Sequence, residues 1–177
     1  MRIALPVVFA LALPGVAAAQ SYEGFSVGGQ LSYGDAETSG AAEVDGDDVL
    51  YGLRAYYDAD LGSVLVGGGL QYDFTDIDLD GAASADSVLR VAGRVGTVVS
   101  DWYVYGTAGY VELYMDEGTV DTGDSDGYFI GIGYEDYLTD TLTVGAELLY
   151  HDFSGFDDID TLDAEVTTLG VSLNYRF

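Results

Sequence analysis

Counted back from its last residue, the stretch LGVSLNYRF alternates without a break. Phe177, Tyr175, Leu173, Val171 and Leu169 are large and apolar, and Arg176, Asn174, Ser172 and Gly170 between them are polar or small. A period of two puts the two sets on opposite faces of a strand, and no helix can use it. The same period recurs in eight segments bounded by Gly, Asp and Ser clusters, at 22–34, 48–58, 63–75, 86–99, 102–115, 127–138, 141–153 and 164–177. No segment downstream of residue 19 carries a helical period of ordinary length, so the chain is expected to be all-β.

The connections add a second pattern. After the second, fourth and sixth segments they are tight: Ala59 to Gly62, Ser100-Asp101 and Thr139-Asp140. After the first, third, fifth and seventh they are long and polar, for example DAETSGAAEVDGDD at 35–48 and TDIDLDGAASAD at 75–86. Short turns at one end and long loops at the other, with an even strand count, is the arrangement of an up-and-down barrel that crosses an outer membrane. Both chain ends then fall on the short-turn side.

The faces distinguish a membrane barrel from a soluble one. In the first segment Phe25, Val27, Leu31 and Tyr33 oppose Ser26, Gly28, Gln30 and Ser32. In the fourth, Leu89, Val91, Val95 and Val99 oppose Arg90, Ala92, Arg94 and Gly96. In the seventh, Leu142, Val144, Ala146, Leu148 and Tyr150 oppose Gly145, Glu147, Leu149 and His151. The mid-strand charges Arg54, Arg90, Arg94, Glu112, Glu135 and Glu147 are all assigned to the small-residue face. A soluble barrel would bury them at several kcal/mol per unpaired ion. If the apolar face meets lipid instead, they pair across a lumen that eight strands leave just wide enough for side chains. The expected fold is an eight-stranded antiparallel up-and-down transmembrane β-barrel over residues 20–177. Arg90 and Arg94 are expected to pair with Glu112 or Glu147. Two outward aromatic girdles are expected, Tyr33, Tyr72, Phe74, Tyr128 and Tyr150 near the long loops and Phe25, Tyr57, Tyr103, Tyr175 and Phe177 near the short turns.

Residues 1–19, MRIALPVVFALALPGVAAA, combine one Arg, an apolar run broken by Pro6 and Pro14, and a small-residue site at Ala17 to Ala19. They read as a secretory signal removed before Gln20. The chain has no Cys to lipidate or bridge, and no Lys. Its formal charge is -26, carried by 31 acidic residues. Of these, 21 lie in the long connections without one Lys or Arg beside them. Such a surface excludes nucleic acid as a partner and repels lipopolysaccharide phosphates unless divalent cations intervene.

The first segment FSVGGQLSYG, the fifth WYVYGTAGYVE, the seventh VGAELLYHDFSG and the closing TTLGVSLNYRF resemble small outer-membrane β-barrel proteins of the OmpA-like or opacity-type "porin family". The resemblance covers essentially all of residues 20–177. It implies a bacterial outer-membrane location and a monomer among outer-membrane lipid and lipopolysaccharide. It also implies that Tyr175 and the terminal Phe177 form the signal read by the barrel-assembly machinery. Unlike the longer OmpA proteins, the chain is expected to stop at the barrel, with no peptidoglycan-binding domain.

Three chemical readings compete with a structural one. His151 is the sole His, and Ser154 follows it in HDFS, which invites comparison with barrel enzymes that modify lipid A. Residues three apart on a strand lie on opposite faces and roughly 10 Å apart, beyond the reach a nucleophile and its base require. His151 is therefore expected to be a hydrogen-bonded lumenal residue, and the protein is not expected to be an enzyme or to need a cofactor. The Arg residues suggest a narrow charge-lined channel, but eight strands leave the lumen filled. In the second long connection, Asp76, Asp78 and Asp80 with Gly81 match the first half of a calcium loop. Position twelve is Ser87 where Glu is needed, so weak, diffuse Ca2+ or Mg2+ binding is expected in place of a cage.

Overall fold

The computed structural model describes residues 21–39, 45–79, 83–116, 125–154 and 163–177. Residues 1–19, expected to be a secretory signal, lie outside them. Eight antiparallel strands, β1 (Gly24–Ser39), β2 (Asp45–Asp60), β3 (Leu65–Leu79), β4 (Ala83–Val99), β5 (Trp102–Asp116), β6 (Ser125–Tyr137), β7 (Leu142–Ser154) and β8 (Asp163–Arg176), follow one another around a closed barrel. Closure pairs β1 with β8 from Ser26↔Arg176 to Ser39↔Asp163. Beyond the last rung, the Phe177 N–H donates to the Phe25 carbonyl at 3.0 Å, and the two rings lie 5.9 Å apart on the outer surface.

The strands are longer than the alternation suggested. Asp35↔Asp47 and Glu37↔Asp45 are still paired, although both lie in the stretch expected to be loop. A span needs about 9–11 residues per strand, whereas these run from 13 to 17. The surplus lies at the long-connection end. There the backbone ladder continues through stretches whose sequence carries no apolar alternation.

The three short turns are built from local donors. Between β2 and β3 the Leu61 N–H donates to Val64 O at 2.9 Å. Gly62 there has φ +97°, and its N–H reaches Asp60 Oδ1 at 2.6 Å. Between β4 and β5, Ser100 takes φ 61°, a conformation that costs a residue with a Cβ about 1–2 kcal/mol.

The faces of β1, β3, β4, β6 and β7 fall as their alternation requires. Leu53, Ile132 and Tyr128 are about two-thirds exposed on the outside, while Arg54, Arg90, Arg94, Glu135 and Glu147 are buried inside. Charged side chains are almost never buried unless paired. This barrel is polar within and apolar without, which suits a lipid solvent.

Strand β5 corrects the sequence reading. Tyr103, Tyr105, Thr107 and Val111 are buried in the lumen, so the even-numbered residues, Glu112 among them, face outward. Glu112 pairs across to exposed Asp126 and is not part of the lumenal network. Tyr103 is fully buried and leaves the short-turn girdle. The cause is in the neighbouring strands. A Cβ at Gly133 of β6 would stand 2.6 Å from Tyr105 Cζ, and one at Gly96 of β4 would stand 2.7 Å from Tyr103 Cε2. Each glycine leaves the space that a β5 ring occupies.

Candidate functional site: the charged lumen

Four Arg and four acids fill the barrel interior: Arg54, Arg90, Arg94 and Arg176 with Asp58, Asp73, Glu135 and Glu147, none more than 5 % exposed. The chain's only other cationic residue of this type is Arg2. Among the described residues the lumenal charges are thus equal in number, and they include every Arg of residues 20–177. The remaining 27 of the 31 acids have no Lys or Arg left in that range to pair with.

The lower tier lies near the short turns. Arg94 grips Asp58 with two parallel bonds, Nε to Oδ1 at 2.7 Å and Nη2 to Oδ2 at 2.5 Å. Its Nη1 reaches Glu135 Oε1 at 2.8 Å. Arg176 Nη2 joins the same two acids, Glu135 Oε2 at 2.9 Å and Asp58 Oδ2 at 3.2 Å. Two cations therefore share two carboxylates on strands β2, β4, β6 and β8, and such two-point contacts fix direction as well as distance. The Arg94 guanidinium also lies over three rings, 4.1 Å from the centroid of Tyr56, 4.9 Å from Tyr105 and 5.3 Å from Tyr103. Desolvated cation–π contacts of this kind contribute about 2 kcal/mol.

Below this tier Tyr22 closes the mouth. Its hydroxyl donates to the carbonyls of Asp101 at 2.7 Å and Glu135 at 3.0 Å, and its own carbonyl accepts from Arg176 Nη1. Its ring meets Tyr137 at 4.9 Å and Tyr103 at 5.3 Å. Burial, then the nearby Asp136 carboxylate, pushes this phenol up to about 12, so it stays a donor at neutral pH.

The upper tier carries the remaining pairs. Arg54 Nη1 binds Glu147 Oε2 at 2.8 Å, and Gln71 Nε2 donates to the same oxygen at 3.1 Å and to Tyr56 Oη at 2.8 Å. Arg90 Nη1 is paired with Asp73, whose Oδ1 also accepts from Gln30 Nε2 at 2.6 Å. Arg90 Nε donates to His151 Nε2 at 2.9 Å. His151 Nε2 therefore carries a lone pair, and Nδ1 carries the proton toward the Val166 carbonyl at 3.1 Å. Beside His151 sits Phe129 at 5.6 Å, which joins Leu50, Val88 and Val111 in an apolar layer within the barrel.

The expected partners of Arg90 and Arg94 are thus replaced. Neither binds Glu112, which is outside, and Glu147 belongs to Arg54. Asp58, Asp73 and Arg176, which the sequence reading does not single out, each hold two or more lumenal bonds. His151 is lumenal and hydrogen-bonded as expected, with both ring nitrogens engaged. Ser154 stands at the far end of β7, paired in register with Asp163 of β8. Of the calcium half-motif, Asp76 falls at a register shift in β3 and Asp78 pairs with Ser84, while Asp80 lies outside the described residues. Among the described residues no group of three or more potential metal ligands converges.

Comparison with known proteins agrees with this geometry. A "22 kDa outer membrane protein" of Rhizobium leguminosarum bv. viciae is 28% identical over 172 residues, covering 89% of this chain and 80% of that protein. Among solved structures, Neisserial surface protein A superposes with a TM-score of 0.59 at 14% identity, covering 88% of this chain and 98% of its own. Ail, the attachment invasion locus protein of Yersinia pestis, solved with the heparin analogue sucrose octasulfate, gives 0.53 at 12% identity, covering 86% and 99%. At such identities the two structures speak for the fold alone. The family model described as outer membrane protein beta-barrel domain matches residues 3–177, nearly the whole chain, and this polypeptide accordingly belongs to that family of bacterial outer-membrane proteins.

Proposed function

We propose that this protein is a non-enzymatic, monomeric barrel that does not conduct, and that its role lies in the outer membrane's structure and in surface interactions of its acidic long-connection end. The observation that carries this reading is that, among the described residues, four lumenal Arg are held by four lumenal carboxylates. A conduction path needs charges that are free to bind and release ions. Here each Arg is held by a carboxylate, Tyr22 seals the short-turn mouth and an apolar layer lies across the upper lumen. Outer-membrane lipid, lipopolysaccharide bridged by divalent cations, and the barrel-assembly machinery are its partners in this reading; nucleic acid is not. A polyanion such as the heparin analogue on Ail is a poor match for a chain of formal charge -26.

The test is solute entry into proteoliposomes. Vesicles carrying the barrel should swell in small sugars no faster than empty vesicles; swelling that rises with protein content would make the protein a pore.

Two further outcomes follow. With both nitrogens of His151 occupied, His151→Ala should leave the outer-membrane lipid profile unchanged by mass spectrometry. Loss of a lipid A modification in that variant would establish an enzyme. Deleting Phe177 removes its N–H bond to Phe25 and its ring contacts, as well as the residue proposed as assembly signal. Insertion followed by pulse-chase and gel mobility should slow several-fold; an unchanged rate would remove the terminal Phe from the assembly account.

A further inference from the structure

The upper tier leaves a set of polar atoms unmatched. Arg54 meets Glu147 through one nitrogen and one oxygen, although a guanidinium and a carboxylate can pair at two points. Arg54 Nε and Nη2, Gln71 Oε1 and Glu147 Oε1 are buried and have no protein partner. All three residues are at least 95 % buried. All three line one enclosed cavity, with Gln30, Ser32 and Thr168 at its wall. Its volume of about 10 Å³ is the smallest that admits a single water molecule. Leaving such atoms unsatisfied in the interior is costly, most of all for charged groups.

The chemistry of the set names its ligand. It offers two donor atoms, Nε and Nη2 of Arg54, and two acceptor atoms, on Gln71 and Glu147. A water molecule accepts two hydrogen bonds and donates two. A halide would meet the donors but face the Glu147 carboxylate, and a metal ion would meet that carboxylate but face the guanidinium. We propose that the mid-lumen holds one tightly bound structural water, accepting from Arg54 and donating to Gln71 Oε1 and Glu147 Oε1. Through it β2, β3 and β7 are tied at one point. The Tyr105 hydroxyl is likewise without a protein partner. A Cβ at Gly133 would stand 2.7 Å from that hydroxyl and 2.8 Å from Glu147 Cγ. Tyr22 below and the apolar layer above separate this water from both mouths, so its exchange with bulk is slow.

The experiment is water-selective NOE and ROE spectroscopy on the intact barrel refolded in detergent micelles. A cross-peak between water and Arg54 Hε is expected, with the sign of a molecule held longer than about a nanosecond. The ROE sign separates it from proton exchange. Absence of that cross-peak, or a sign showing sub-nanosecond contact, overturns the proposal. Gln71→Leu removes one acceptor and fills the space, and should abolish the cross-peak while the folded gel mobility persists; a cross-peak of wild-type intensity in the folded variant also overturns it. Should Gln71→Leu fail to fold, a high-resolution crystal structure of the wild-type protein decides. A water within about 3.2 Å of at least three of the four atoms supports the assignment. A side-on Arg54–Glu147 pair with no water between refutes it.

Discussion

Arg94→Ala is expected to destabilise the barrel by about 3–5 kcal/mol, the range for removing one member of a buried ion pair. Arg94 holds Asp58 through two bonds and Glu135 through one. Arg176 reaches both acids as well, so the variant leaves two buried carboxylates with one cation. It also opens a space among Tyr56, Tyr103 and Tyr105, whose rings now pack on the guanidinium. Arg94→Lys should recover only part of the loss, because an ammonium cannot reproduce the two-point grip on Asp58. Urea titration followed by the fluorescence of Trp102, the single Trp, measures both. A loss below about 1 kcal/mol for Arg94→Ala would mean that the network is ornamental.

Gly133→Val is the second large effect. Its Cβ alone would sit 2.6 Å from Tyr105 Cζ and 2.8 Å from Glu147 Cγ, and the two γ-methyls need more room still. Overpacking a filled interior costs about 1–3 kcal/mol and sometimes more. Here the obstacle is a buried ring held between Arg94 and Gly133. The fraction of protein with folded gel mobility after refolding should fall sharply, and Tyr105→Ala in the same chain should restore part of it. A Gly133→Val barrel that folds as well as the wild type would place the Tyr105 ring elsewhere.

These two positions also mark where the sequence is legible and where it stops. Strands β1, β3, β4 and β7 could be oriented from alternation because their inward residues are small or polar and their outward ones large and apolar. Strand β5 could not, since Trp102, Val104 and Tyr110 on one face are matched by Tyr103, Tyr105 and Val111 on the other. Its orientation is decided by Gly96 and Gly133 on neighbouring strands, a signal present in the sequence but readable only once strand order is known. Glu112, expected in the lumen, faces outward for the same reason.

The acids that bind the Arg residues carry weaker local signals. Asp58 sits two residues from the end of β2 and reads as a turn acid. Arg176 stands beside the terminal Phe, yet the outward setting of Tyr175 and Phe177 already implies that it points inward. Which acid meets which Arg depends on the stagger of strands that are far apart in the chain, and barrel shear has no local signature. Charge counting comes closer. Four Arg committed to a lumen need four acids there, and the abundance of acids elsewhere hides which four.

The same count bears on the chain's acidity. The lumen is balanced, so the excess negative charge is carried by groups that the interior does not use. Removing it should change how the surface meets cations and lipid phosphates far more than it changes the barrel.

The most direct test of a closed lumen is single-channel recording of the refolded barrel in planar bilayers, with and without millimolar calcium, beside Tyr22→Ala. The wild-type protein should be silent in both conditions, because the paired tiers and the apolar layer remain even when the mouth is altered, and Tyr22→Ala should be silent as well. Steady unitary conductance in the wild-type protein would contradict the account and make the lumenal charges a transport path.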